Sequence, residues 1–237
     1  MKAERESRNE LDGMVVNIEL TLVSIIQGVA LSFLAENARA ALVGRLWTAT
    51  PYVFASLLII LLFWSRSIIH TLTLIRWPLE FGHNFFYITC TLAQVLAVTR
   101  LTDPFWWFVL SAVFSALVWG LFIYDMHMIR LREADSRSED ALRLYQIVSR
   151  DQRLNIWVLV PAILFFNIAC AIAIQMRPAF FLLRNGHLIL VGLQAAGLVI
   201  YLGYVIRAFM KITPLIAEAR HDWRSEETGE AGPEETE

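Results

Sequence analysis

The chain has 237 residues, of which 57% are hydrophobic and 18% are charged, and its mean hydropathy is +0.54. Soluble domains carry about a quarter charged residues. Because the apolar excess lies in long runs, this composition excludes an ordinary soluble domain and indicates a polytopic membrane protein. The formal net charge of −2 gives no reason to expect a nucleic-acid partner.

Six apolar runs, each close to the ~20 residues that cross a bilayer, predict an all-α integral membrane protein with six transmembrane helices. The predicted spans are residues 14–35, 51–75, 79–100, 104–129, 154–176 and 186–210. Together they form one membrane domain, 14–211. A charged segment, 1–13, precedes it, and an acidic tail, 212–237, follows and is predicted to be disordered.

Local signals support several of these boundaries. Thr50 before Pro51, and Asp103 before Pro104, are typical of helix starts, whereas Pro214 predicts a break beyond the last span. The segment before the first run is too acidic for a signal peptide, and the run itself is long for one. We therefore expect a retained span.

Arginine and lysine are distributed unequally between the two sides that the spans define. The segments on the side of the N-terminus hold fourteen of them, whereas the opposite loops hold five. Because positively charged loops stay in the cytoplasm, we expect both termini to be cytoplasmic and the protein to lie in the inner or plasma membrane.

The predicted cytoplasmic loop of residues 130–153 combines arginines with a short apolar pattern. Ser138 followed by Glu139 and Asp140 is typical of a helix start, and most of the apolar residues that follow share one side. We predict an amphipathic helix on the membrane surface, with anionic lipid as its partner. A helical extension of the fourth span into water is the alternative.

The third span carries a polar stripe. Its members recur at spacings of three and four and therefore share one helix face: Glu80, His83, Asn84, Tyr87, Thr91 and Gln94. Since polar groups in hydrocarbon are costly, this face is expected to meet protein, water or a ligand. Neighbouring spans add the candidates Glu19, Gln27, Arg66, His70 and Asp125. The ionisable candidates cluster toward the predicted cytoplasmic side.

Arg66 is the costliest of these residues to insert, at about 2.5–3.5 kcal/mol for a helix centre. It can extend its guanidinium toward the head groups, or it can pair with Glu19 or Asp125 inside the bundle. We predict the pair with Glu19, since two buried charges that meet offset one another's desolvation.

The chain lacks a Walker lysine loop, an H-E-x-x-H motif and a G-x-S-x-G motif. Cys90 and Cys170 lie in apolar runs without zinc-binding spacing, so no metal is predicted. No cofactor is predicted either. A haem b held by His70 and His83 is disfavoured because the two residues flank a tight turn.

Polar residues within predicted spans favour a channel or secondary transporter for an ion or small solute, with a passage lined by spans 1, 2 and 3. The alternatives are a non-transporting accessory or sensor protein, whose arginine-rich loop and tails bind partners, and an enzyme that acts on a lipid head group. Small-residue faces on spans 1, 4 and 6 predict a homo-oligomer. A short sequence similarity between residues 75–83 and 176–187 suggests a 3+3 inverted repeat, although chance produces such short matches readily.

Overall fold

The computed structural model describes residues 2–74, 81–135 and 139–228, and every regular element in these ranges is helical. The helices are α1 Lys2–Val43, α2 Thr50–Leu74, α3 Phe81–Val98, α4 Pro104–Asp135, α5 Glu139–Leu154, α6 Val160–Met176 and α7 His187–Thr228. Contacts between the first turns of α2, α4 and α7 place these helix starts together. We call this the Tyr52 end of the bundle, and the opposite end the Asp151 end.

Five described segments are long and apolar enough to cross a membrane: Gly13–Val43, Trp47–Leu74, Pro104–Leu131, Leu142–Met176 and His187–Ile216. The chain therefore has the helices of a multi-pass membrane protein. α3 has 18 residues and is not among the five. The sixth span thus stays a prediction, as does the inverted repeat, part of which falls on residues 75–80, outside the described ranges.

Two predicted helix starts are confirmed. The Asp103 carboxylate accepts a hydrogen bond from the backbone N–H of Trp106, at 3.2 Å, which is the contact of an N-cap residue. α2 begins at Thr50 with Pro51 as its second residue. In this first turn the missing proline N–H costs nothing.

The predicted break at Pro214 is wrong, because α7 continues through Pro214 to Thr228. Proline removes one hydrogen bond from a helix interior and disfavours its continuation. Here Ile212 and Ile216, on either side of Pro214, pack into an apolar cluster with Leu74, Ile129 and Tyr145, among others. This tertiary packing holds the helix together. Residues 212–228 are therefore helical, while 229–237 lie outside the described ranges, so the disordered tail stays a prediction.

The predicted surface helix of the 130–153 loop exists as α5, but its surroundings differ from the prediction. Leu144, Tyr145 and Val148 are buried against α4 and α7. The apolar side of α5 is thus covered by protein and is not available to lipid. α5 also continues directly into α6 through a π-helical turn, Asn155–Leu159, so the two form one long helical segment.

Candidate functional site: buried polar clusters and a cavity between four helices

The polar stripe of α3 faces the protein interior. Its described members, His83, Asn84, Tyr87, Thr91 and Gln94, are all buried, while Glu80 lies outside the described residues. The stripe therefore meets protein on α1, α2 and α4, and the lipid-facing side of α3 keeps apolar residues such as Leu92 and Leu96.

Asp125 on α4 joins two histidines from different helices. The Nδ1 atoms of His83 and His70 lie 3.0 and 3.3 Å from the two separate oxygens of the Asp125 carboxylate. The imidazole rings stack with centroids 4.2 Å apart and an interplanar angle of 7°. An ionised carboxylate only accepts hydrogen bonds, so both imidazoles donate from Nδ1. The Nε2 atom of His70 is then a buried acceptor, and it has no partner among the described residues.

Among the described residues, this histidine–aspartate cluster is the group whose ligand atoms lie close enough together to hold a metal ion, within 4.8 Å of one another. Metal binding requires the in-plane lone pairs of both imidazoles to converge on one point. Rings that are nearly parallel keep these lone pairs in separate parallel planes instead. A porphyrin has no room between rings stacked 4.2 Å apart. In the observed geometry both imidazoles are placed for hydrogen bonding to the shared carboxylate, and the absence of a cofactor stays a prediction.

Two further contacts join α1 to the stripe. Asn84 donates from Nδ2 to Glu19 Oε1 at 2.7 Å, and Gln27 donates from Nε2 to Thr91 Oγ1 at 3.3 Å. Glu19 is 1% exposed, so this carboxylate is held inside the bundle by an amide. Its predicted partner, Arg66, lies elsewhere.

Arg66 pairs with Asp151, a residue for which the sequence analysis predicted no role. The Arg66 Nη1 atom lies 2.7 Å from Asp151 Oδ2, and Nη2 donates to Gln152 Oε1 at 3.3 Å. The predicted pairs with Glu19 or Asp125 are therefore wrong. α5 continues into the bundle, and this continuation brings Asp151 next to α2.

α7 completes the ion pair with two tyrosines. Tyr204 donates its hydroxyl hydrogen to Asp151 Oδ1 at 2.6 Å, and Tyr201 donates to Asn155 Oδ1. Asn155 in turn donates to Asp151 Oδ2 at 3.2 Å. Each Asp151 oxygen thus has a donor in addition to the guanidinium, as a buried ion pair requires.

The π-helical turn beside this network has a cause in the sequence. The N–H of Val160 donates to the carbonyl of Asn155, five residues earlier. In the same register the carbonyl of Ile156 would need an N–H from residue 161, which is Pro161 and has none. The indole N–H of Trp119 supplies the missing donor at 2.9 Å. The turn directs Asn155 and Asp151 toward α7 and α2.

A cavity of about 60 Å³ lies between α2, α4, α6 and α7. Most of its wall is aliphatic or aromatic. Its polar lining residues are Arg66, Ser111, Ser115, Asn167, Gln194 and Tyr201. A cavity needs roughly 10–15 Å³ of such space to hold one water molecule, so this one has room for several.

Polar atoms around this cavity are left without partners among the described residues. Gln194 donates from Nε2 to Asn167 Oδ1 at 3.0 Å, but its own Oε1 has no donor. The Ser111 hydroxyl also has no partner. Ser111 lines a second cavity of about 10 Å³ together with Gln94, and both amide atoms of Gln94 are unpartnered as well. Buried polar groups are nearly always hydrogen-bonded, so these atoms indicate a site for water or a ligand.

The Tyr52 end of the same four helices is closed by aromatic residues. The Tyr52 hydroxyl lies 2.9 Å from Nδ1 of His187, and the Trp107 ring packs edge-on against Tyr52 at 4.9 Å. The Trp107 indole N–H donates to Ser56 Oγ at 3.4 Å. Ser56 and Trp107 also line the smaller cavity.

The structure thus divides the predicted candidates between two places. Glu19, Gln27, His70, His83, Asn84, Tyr87, Thr91 and Asp125 lie in packed contacts among α1–α4, whereas Arg66 and Gln94 border the cavities. Sequence reasoning missed Asp151, Asn155, Asn167, Gln194, Tyr201 and Tyr204. The signal for Asn167 and Gln194 was present, since each is a lone amide inside an apolar run.

No family model matches the chain, and neither the curated proteins nor the solved structures include a match to it.

Proposed function

We propose that the chain is a multi-pass membrane channel or secondary transporter for an ion or small solute, with a passage between α2, α4, α6 and α7. The observation that carries this proposal is the group of unpartnered polar atoms on Gln94, Ser111 and Gln194 around two adjoining cavities. Such atoms in a membrane-spanning bundle are costly unless water or a solute satisfies them.

On α7 the polar residues His187, Gln194 and Tyr201 recur every seven residues and therefore share one helix face. His187 meets Tyr52 at one end of the bundle, Gln194 and Tyr201 line the cavity, and Tyr204 meets Asp151 at the other end. From His187 to Tyr204 along α7 the rise is ~26 Å at 1.5 Å per residue. This length is close to the ~30 Å hydrocarbon core of a bilayer.

The passage proposed here differs from the predicted one along spans 1–3. The contacts of Glu19 and Gln27 with α3 are direct and leave no cavity between the paired side chains. We assign these residues, with His70, His83 and Asp125, to an acid–base cluster that fixes α1 and α3 against α2 and α4. In this proposal the Asp151 end faces the cytoplasm, as the arginine distribution favours. A homo-oligomer, and anionic lipid near the exposed Arg143 and Arg150, belong to the same proposal.

Flux measurements on purified protein in liposomes test the proposed passage. Gln194→Leu and Ser111→Val remove the unpartnered groups and fill the cavity with apolar atoms, and we expect each to reduce flux at least tenfold. Gln175→Leu makes the first change at an exposed position of α6 and serves as the matched control. Wild-type liposomes that pass no more of any ion or solute than protein-free liposomes would favour the accessory protein instead.

A further inference from the structure

We infer that the passage selects small uncharged molecules that donate a hydrogen bond, of the size of water or urea, and excludes ions. This inference rests on the proposed function and adds the substrate class. It follows from three properties of the cavity wall between α2, α4, α6 and α7.

The first property is charge. Among the described residues that line the cavity, Arg66 is the one that carries a charge, and it lies toward the Asp151 end. A cation that enters finds no carboxylate among the described lining residues, since Asp151 lies behind Arg66 and is already paired with it. An anion would have to compete with Asp151, which already holds the guanidinium at 2.7 Å and repels a second negative charge. Neither sign of ion gains a compensating partner for its lost hydration.

The second property is the kind of hydrogen-bonding group that is left open. Gln194 presents an acceptor, Oε1, while its Nε2 hydrogen is used by Asn167. The Ser111 hydroxyl can both donate and accept. At the adjoining cavity Gln94 offers a free acceptor and a free donor. A molecule with N–H or O–H groups and a lone pair satisfies all three residues without bringing a net charge.

The third property is size. About 60 Å³ of space, in a wall that is mostly apolar, holds a few water-sized molecules at roughly 10–15 Å³ of such space for each. It does not fit a hydrated ion, whose water shell needs more room and more polar contacts than this wall offers. The ligand class is therefore water, or a neutral amide, alcohol or amine with only a few heavy atoms.

Two measurements on the same batch of proteoliposomes test the inference. Stopped-flow light scattering gives the permeability to water, urea and glycerol, and a voltage-sensitive dye reports K⁺ and Cl⁻ movement down imposed gradients. We expect water or urea permeability several-fold above that of protein-free liposomes, and ion permeability equal to theirs. Gln194→Leu should remove most of the permeability that exceeds the protein-free value, whereas Gln175→Leu should leave it unchanged.

The outcomes separate the inference from the proposed function. Ion flux that Gln194→Leu abolishes would overturn the neutral-solute inference and leave the passage in place. Protein that elutes as a single folded species and carries neither ions nor neutral solutes would overturn both. If Gln194→Leu fails to fold, Gln194→Glu replaces it. This variant keeps the side-chain length and adds a negative charge to the wall that holds Arg66. Cation flux that appears only in this variant would support exclusion by the charge of the wall, whereas unchanged neutral flux would overturn the inference.

Discussion

At the scale of single residues, the costly charges of this membrane protein are satisfied in specific ways. Arg66 and Asp151 form a buried ion pair. Tyr204 and Asn155 donate to Asp151, Gln152 accepts from Arg66, and Tyr201 donates to Asn155. Glu19 meets an amide, and Asp125 meets two imidazoles. Each carboxylate therefore has hydrogen-bond donors on a different helix, so each is a point where two or three helices are fixed together.

The ion pair leads to an asymmetric prediction. Arg66→Gln or Asp151→Asn alone leaves one buried charge unpaired, and we expect each to destabilise the protein by about 3–5 kcal/mol. The double variant Arg66→Gln with Asp151→Asn leaves no such charge and should recover most of the loss. Thermal unfolding in detergent measures all three. The control pairs Arg66→Gln with Glu19→Gln, which should recover nothing. If this control does recover the stability, the buried partner of Arg66 is Glu19 and not Asp151.

Asp125 allows a prediction about tautomers. In Asp125→Asn the amide oxygen still accepts from one imidazole, but the amide N–H₂ faces the Nδ1 of the other. The second histidine must then move its proton to Nε2. We expect a loss of about 1.5–3 kcal/mol, as for other hydrogen bonds to charged groups, and a changed tautomer for either His70 or His83 in ¹⁵N NMR spectra. Unchanged tautomers at both histidines would show that Asp125 does not orient them.

At the scale of elements, the π-helical turn between α5 and α6 controls where Asp151 and Asn155 point. Its stability depends on Trp119, which donates to the carbonyl that Pro161 leaves without a partner. An α-helix without this turn would rotate the residues before it by roughly a quarter turn, since one residue corresponds to 100°. Asp151 would then leave Arg66.

This dependence can be tested with one pair of variants. Trp119→Phe removes the indole donor and should destabilise the protein by about 1–3 kcal/mol, the cost of an unsatisfied buried carbonyl. Adding Pro161→Ala supplies a backbone N–H at residue 161 and should recover much of that loss. Trp106→Phe, at an exposed position in the first turn of α4, is the control. If Pro161→Ala destabilises the Trp119→Phe protein further, the unsatisfied carbonyl of Ile156 is not the cause of the lost stability.

The sequence predicted most elements because their signals are local. Asp103 before Pro104 marks a helix start whatever the fold, and the stripe of α3 identifies its buried face by spacing alone. The continuation of α7 past Pro214 was missed because it depends on Ile212 and Ile216 packing against distant residues. The partner of Arg66 was missed for a similar reason. Asp151 was assigned to a surface helix, and only the joining of α5 with α6 carries it into the bundle.

At the scale of the whole molecule, the polar groups fall into a packed half and a hollow half. Direct contacts join α1 to α3, and His70 and His83 to Asp125, whereas one cavity lies between α2, α4, α6 and α7 and a smaller one between α2, α3 and α4. In this account the first half holds the helices in place and the second half carries the solute.

The orientation of the whole molecule is a separate prediction. The arginine and lysine distribution places both termini and the loop near Ser136 in the cytoplasm, with Thr48 outside. Single cysteines at these two positions are treated with an impermeant maleimide. Ser136→Cys should react only from the cytoplasmic side of the membrane, and Thr48→Cys should react only from the outside. Native Cys90 and Cys170 are both buried, so the background should be low. Labelling of Thr48→Cys from the cytoplasmic side would show that the topology is the reverse of the predicted one.

The most direct test of the central claim is the accessibility of Ser111, which lines both cavities. Ser111→Cys is made in a background of Cys90→Ala and Cys170→Ala, and the protein is treated in liposomes with a small methanethiosulfonate reagent. If a passage runs between α2, α4, α6 and α7, the cysteine reacts and flux falls as labelling proceeds. Ser24→Cys, on the exposed side of α1, should leave flux unchanged. A Ser111→Cys protein that carries solute, and whose flux is unchanged after complete labelling, would contradict the account.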